Sequence, residues 1–530
     1  MEYYDLGTHS RSVTTASKEA QTWFDRGLVW SYGFNHEEAA KCFEHAIQAD
    51  PKCAMAYWGL AYSLGPNYNK PWALFEADER ASATQRTHDA MEKAAALAKE
   101  TSPSLSLVEE GLIEALHFRY PQREAPSEAE DEEKTSIWNA AYADAMGAVA
   151  ARFPDDLDVA TLYADALMNL TPWALWDVRT GEPATSNGAR TLEAKRVLDH
   201  ALNLPGGRRH PGALHMYVHL MEIHIDVLVG DYAAAGRANT AAVAADEKFL
   251  AREGALQFYT LYRSHDYHFL LYGALFAGQS ALALDTVARL EASISEELLR
   301  VRSPPMADWL EAFLGMRVHA LVRFGRWDEV LALPLPADTA LYCVTAALTH
   351  YAKGVAHAAQ GRVGEARAEQ ALFEAARADV KPSRTLFNNT CTDILGVAAA
   401  LLSGEVEYRA GNHEVAFTHL RAAIGLYDNL PYDEPWGWMQ PVRHAYGALL
   451  LEQGRAEEAL AVYRADLGLD DSLPRAHQHR NNVWALHGYH ECLVTLRRKE
   501  EADTIAGQLE AALALADVPI RSSCFCRTIF

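Results

Sequence analysis

Residues 20–53, "AQTWFDRGLVWSYGFNHEEAAKCFEHAIQADPKC", constrain the fold more than any other stretch. Within these 34 residues, Phe24, Gly27 and Trp30 recur at helical spacing, and "GFNH" breaks the pattern. Ala39, Phe43, Ala46 and Pro51 then follow on a second helical face. Each residue type has a packing reason. Small residues let two helices of a hairpin approach, aromatics fill the gaps between hairpins, and proline stops the second helix.

Weaker copies follow. "AMAYWGLAYSLGPN" (54–67), "VATLYADALMNLTPW" (159–173) and "HIDVLVGDYAAAGRANTAAVAADE" (224–247) each carry part of the pattern. "LVRFGRWDEVLA" (321–332), "AKGVAHAAQGRVGEARAEQALFEAA" (352–376) and "AYGALLLEQGRAEEALAVYRADLGL" (445–469) repeat a glycine turn between helical stretches. No segment alternates with the period of a strand. The expected fold is all-α, a tetratricopeptide (TPR)-like α-solenoid in which stacked helical hairpins form a right-handed superhelix. The expected organisation is an N-terminal extension (1–19), the solenoid (20–517) and a tail (518–530). Insertions are expected near 121–136, 180–190 and 426–441, the first of them an acidic, solvated loop.

A hydrophobic content of 49% is ample for a core, whereas a net charge of −23 disfavours nucleic acid and anionic membrane surfaces as partners. "MEYYDLGTHSRSVTTASKEA" lacks the basic and apolar regions of a signal peptide, and no apolar run is long enough to span a bilayer. Seven scattered cysteines suit a reducing compartment. The expected location is cytoplasmic.

Chemistry concentrates in a few motifs. In "HPGALHMYVHLMEIHIDVLVGDY" (210–232), His215, His219 and Glu222 fall within about 60° on a helix wheel, with Asp226 beside them. Two imidazoles four residues apart and a carboxylate one turn on can hold a divalent metal. The repeat frame instead turns His224 to the groove and packs His219 between helices. "HMYVH" lacks the glutamate that a zincin protease uses as base. His265 and His268 in "RSHDYHFLLYG" form a second pair, with Asp266 as orienter. The competing reading is a helix start capped by Ser264, with Asp266 in its first turn. His36 stands in the "GFNHEEA" turn, and "GPNYNKPW" offers Asn67 and Tyr68 to a ligand. "LYDNLPYDEPWGWMQP" adds Trp436 and Trp438, and "SSCFCR" adds a Cys-x-Cys read as a free, flexible thiol pair. No phosphate loop, nucleophile elbow or dinucleotide fingerprint is present.

Together, "WFDRGLVWSYGFNHEEAAKCFEHAIQADPKCAMAYWGLAYSLGPNYN", "HPGALHMYVHLMEI", "DYHFLLYGALFAGQ" and "DEPWGWMQPVRHAYGALLLEQGR" resemble a family of long tetratricopeptide-repeat proteins of bacteria and fungi. The resemblance implies a tetratricopeptide superhelix and carries no catalytic role. It matches His36, Asn67, His215, His219, Glu222 and His268 to positions of the family's recurring motifs. In the family, a further hairpin follows the "HPGALH" helix. Here "HLME" runs straight into "IHIDVLVGDY", about one repeat shorter.

Two functions follow as expectations. The first is a TPR-like scaffold that binds a protein or peptide, preferably basic, in its concave groove, with His36, Asn67, Tyr68, Trp436 and Trp438 at the ligand. The alternative is an enzyme using a divalent metal as cofactor, held inside the superhelix by His215, His219, Glu222, His265 and His268. In that reading the "PYDEPWGW" insertion is a lid.

Overall fold

A computed structural model describes residues 3–100, 104–127, 131–177, 182–185, 188–220, 227 and 229–528, with the side chains of 131 and 132 left out. Among the described residues the chain is all-α apart from one two-stranded hairpin, Thr385–Leu386 against Asn389–Thr390. Among the described residues, no helix is long and apolar enough to cross a membrane. The sequence pattern suggests one array over 20–517, but the chain divides into two compact units, Met1–Ile223 and His224–Phe530. The boundary falls where "HLME" meets "IHID" in the sequence.

The first unit opens with the hairpin Lys18–Tyr32 and His36–Ala49, followed by Ala54–Leu64. Its packing rests on Phe43, which is fully buried. The ring fills the space left by two glycines: a Cβ on Gly27 would come within 2.8 Å of it, and one on Gly59 closer still. Ser17 caps the first helix through the Ala20 amide, and Asn35 caps the second through the Glu38 amide. The N-terminal extension is tied down. Thr14 donates from N and Oγ1 to the Glu109 carboxylate at 2.6 and 2.7 Å, and Arg11 reaches Asp156 and Asp158 at 2.9 Å. Helix Asp131–Arg152 begins within the 121–136 stretch.

The second unit repeats the same packing. Tyr463 is fully buried and lies where side chains on Gly447 and Gly488 would strike it. The glycine of the recurring "GRxxEA" turn adopts the left-handed conformation, at φ 74° in Gly361 and 71° in Gly454. Buried Glu311 accepts from the amides of Val344 and Thr345, closing the start of helix Cys343–Ala359. The first and last hairpins of this unit touch. Trp484 Nε1 donates to the Leu275 carbonyl at 2.7 Å, Tyr232 donates to the Arg480 carbonyl, and Asp517 caps helix Ser280–Ser293. The 426–441 segment packs into this unit, with Trp436 and Trp438 buried.

Candidate functional site

The site in the first unit is built on a strained turn. Phe34, between the first two helices, has φ 57°, an outlier for a bulky residue. Its buried ring packs against His215 at 4.7 Å, His219 at 5.0 Å and His36 at 6.3 Å between centroids. Trp173 is a second outlier, at φ 58°, and belongs to the same cluster. It lies 5.6 Å from Tyr68 and 6.3 Å from His219, with Tyr68 5.4 Å from His219. Phe34 and Tyr68 form a buried floor, and His36, Trp173, His215 and His219 are half-buried above it.

The wheel is right about His215 and His219. Both stand on helix Pro211–Leu220, and their Nε2 atoms are 3.1 Å apart. His215 Nδ1 donates to the Tyr32 carbonyl, so its Nε2 is left with a lone pair. That lone pair can accept an N–H from His219 or reach an ion about 2 Å from both rings. Burial holds the His215 imidazole below its ordinary value, hence neutral. His36 Nδ1 lies 3.0 Å from the Ser63 carbonyl, whereas its Nε2 is enclosed without a partner, and burial pushes the ring down to about 4.

Other calls come out differently. Asn67 shapes a turn, its Oδ1 accepting from the amides of Asn69 and Lys70 at 2.9 and 3.0 Å. Glu222, the expected third metal ligand, lies outside the described residues, as does Asp226. Among the described residues, no third metal-capable side chain joins His215 and His219. His265 and His268 belong to the second unit, inside helix Thr260–Ala277 rather than at its start. They pack on Phe387, a third bulky residue with positive φ, at 5.2 and 6.4 Å. Neither nitrogen of buried His268 has a partner, and no described side chain completes a metal triad with this pair. Asp266 lies beside Asp246, and its carboxyl is raised by burial and by that neighbour.

Trp436 and Trp438 are buried in the second unit, 4% and 1% exposed, and Trp436 lines a small cavity with Tyr272 and His479. Trp436 Nε1 donates to the Ala476 carbonyl, and Trp438 packs on His319 at 4.7 Å and Tyr351 at 5.3 Å. The 426–441 segment is therefore built into the packing of the unit at its tryptophans.

Among the described residues are two groups of three metal-capable side chains, of which the sequence pattern signals only the Cys-x-Cys of the second. One is His9, Asp158 and His210; the other is Glu405, Cys524 and Cys526. In the first, Asp158 Oδ1 lies 3.1 Å from the Nε2 atoms of His9 and His210 and 2.6 Å from the Tyr32 hydroxyl, while Arg11 binds Oδ2. His210 Nδ1 accepts the Ala213 amide, so its Nε2 carries the proton and donates. Burial alone would raise Asp158, but the His210 and His9 hydrogen bonds and the Arg11 charge hold it well below the usual carboxylate range. This carboxylate already accepts hydrogen bonds from His210, Tyr32 and Arg11. Its partners lie up to 149 residues apart, and no motif announces them.

The family model described as tetratricopeptide repeat matches residues 20–53. Among solved structures, that of yeast Tom70 is similar at 10% identity, covering 93% of this chain and 93% of that one, with a TM-score of 0.29. A structure of the APC/C hetero-tetramer Cut9–Hcn1 is similar at 13% identity, covering 95% of this chain and 78% of that one, with a TM-score of 0.26. No curated protein sequence matches. The chain is a helical-repeat protein with a tetratricopeptide hairpin at 20–53.

Proposed function

We propose that this protein is a scaffold that receives a peptide segment of a partner protein on the inner face of its repeats. In the first unit, His36, Trp173, His215 and His219 act as anchors above Phe34 and Tyr68. The observation that carries this reading is the strained, half-buried ring cluster, where the enclosed His36 Nε2 lacks a partner. Aromatic anchors over a buried floor are the usual seat of binding energy, and repeat scaffolds present them on extended surfaces. A net charge of −23 favours a basic segment and disfavours nucleic acid. The test is an arrayed peptide library probed with the full chain, followed by calorimetry on the best basic peptide. Trp173→Ala is expected to weaken binding about 30-fold, as a hot-spot residue does. Equal affinity in the variant, or no binder at all, sinks the proposal.

The 3.1 Å approach of His215 and His219 supports a second reading, a metal-dependent enzyme. A His215 Nδ1 that donates to a backbone carbonyl is how metal-binding imidazoles are oriented. Elemental analysis of protein purified without a metal-affinity tag separates the two. A stoichiometric metal lost from the His215→Ala/His219→Ala variant favours the enzyme, and its absence favours the scaffold.

A further inference from the structure

The 522–527 segment, "SSCFCR", is docked rather than flexible. Ser523 is fully buried, its Oγ donating to the His444 carbonyl at 2.7 Å and meeting the Tyr463 hydroxyl at 2.5 Å. Arg323, stacked 3.8 Å over Trp484, donates to the Ser523 carbonyl, and Arg409 donates to that of Cys526. Phe525 packs on Trp484, and Arg527 pairs with Glu491 at 2.8 Å.

This docking brings two sulfurs to a buried carboxyl. Cys524 and Cys526 are joined as a disulfide, and the Glu405 carboxyl lies within 4.8 Å of both sulfurs. Glu405 is 2% exposed, and its Oε2 has no hydrogen-bond partner. A buried carboxyl oxygen without a donor is costly and calls for an explanation. The disulfide offers it no proton, but the dithiol does. The two sulfurs also differ. Cys526 is fully buried, whereas Cys524 is half-buried and its sulfur accepts the Cys526 amide at 3.1 Å, which favours a thiolate there.

We propose that Cys524, Cys526 and Glu405 form a thiol–disulfide exchange site for low-molecular-weight disulfides such as glutathione disulfide. The Cys524 thiolate attacks one sulfur of glutathione disulfide, forming a mixed disulfide and releasing one glutathione thiolate. Glu405 takes the proton from Cys526, whose sulfur then attacks Cys524 Sγ and expels the second glutathione thiolate. One cysteine thiolate and one cysteine thiol are oxidised to the disulfide, one glutathione disulfide is reduced to two glutathione thiolates, and the proton on Glu405 passes through water to one of them.

Besides the two sulfurs, Arg409, Glu452 and Tyr351 act on Glu405 among the described residues. Burial pushes its carboxyl up to about 7, Arg409 opposes that rise and Glu452 adds to it, so it exchanges protons near neutrality. The other thiols contrast with this pair. Burial pushes Cys42, Cys53 and Cys492 up to about 12, 11 and 12, which leaves them inert.

The test uses the full chain equilibrated across glutathione redox ratios, quenched in acid, alkylated and mapped by mass spectrometry. Cys524 and Cys526 are expected to oxidise together as a two-electron pair while the other five cysteines stay reduced. Cys526→Ser is expected to accumulate a Cys524–glutathione mixed disulfide. Glu405→Gln is expected to slow ring closure by roughly 10²-fold and remove its pH dependence near 7. Failure of Cys524 to outpace Cys42, or a stoichiometric zinc ion shielding the reduced pair, overturns the site. Closure of Glu405→Gln at the wild-type rate overturns the role of Glu405. The wild-type titration and the Cys526→Ser trap decide the site even if the Glu405 variant does not fold.

Discussion

Asp433, inside the 426–441 segment, accepts from the Asn388 amide at 3.2 Å and from Asn389 Nδ2 at 3.1 Å. Burial nevertheless pushes its carboxyl up to about 8, with Glu434 adding to the rise. Between its unfolded value of 3.8 and about 8, the folded chain holds a proton that the unfolded chain has released. The stability from this group is therefore full below the lower value and lost as pH rises through the upper one. Asp433→Asn keeps the shape and discards the charge. Its stability relative to wild type is expected to climb steadily from pH 4 to pH 8, as read by urea denaturation at each pH. Parallel curves would rule this out. At this scale the sequence is only partly legible. The four-residue spacing of His215 and His219 places them on one face, whereas the role of Phe34 depends on a φ of 57° that no propensity signals. Trp436 and Trp438 read as ligand contacts because their segment is irregular and rich in aromatic and acidic residues. They are core residues because the segment's polar groups find partners inside the unit, as Trp436 does at the Ala476 carbonyl.

At the scale of elements, the hairpins are held by rings seated on glycines, and the consequence can be measured. A methyl group on Gly59 collides with the Phe43 ring, which is closed in by Gly27 on its other side. Gly59→Ala is expected to cost about 1–3 kcal/mol through overpacking, despite alanine's better helix propensity. Gly364 lies in helix Val363–Ala378 with nothing within 4 Å of a Cβ. Gly364→Ala is therefore expected to stabilise by about 0.4–1 kcal/mol. Denaturant melts of the two variants check both signs, and a stabilising Gly59→Ala would contradict the packing described. The Phe24, Gly27 and Phe43 pattern is readable because it expresses local packing within one hairpin. The Asp131 helix start was not, because its carboxylates read equally well as a solvated loop.

At the scale of the whole molecule, the boundary at Ile223/His224 coincides with the join between "HLME" and "IHID". Each side has its own core, with Phe43, Trp58 and Leu112 fully buried in the first unit and Phe373, Tyr427 and Trp484 in the second. Each also ties its early residues to much later ones. Arg11 and His9 reach Asp158 in the first unit, and Trp484 and Asp517 reach Leu275 and Ser280 in the second. Neither set of contacts needs the other unit. A repeat array split in this way behaves as two cooperative blocks, since stability in such proteins adds up from neighbour interfaces. Residues 1–223 and 224–530, produced as separate chains, are each expected to be helical and to unfold cooperatively in urea. A fragment that lacks a cooperative transition, or that folds only when its counterpart is added, would show that the division in packing is not a division in folding.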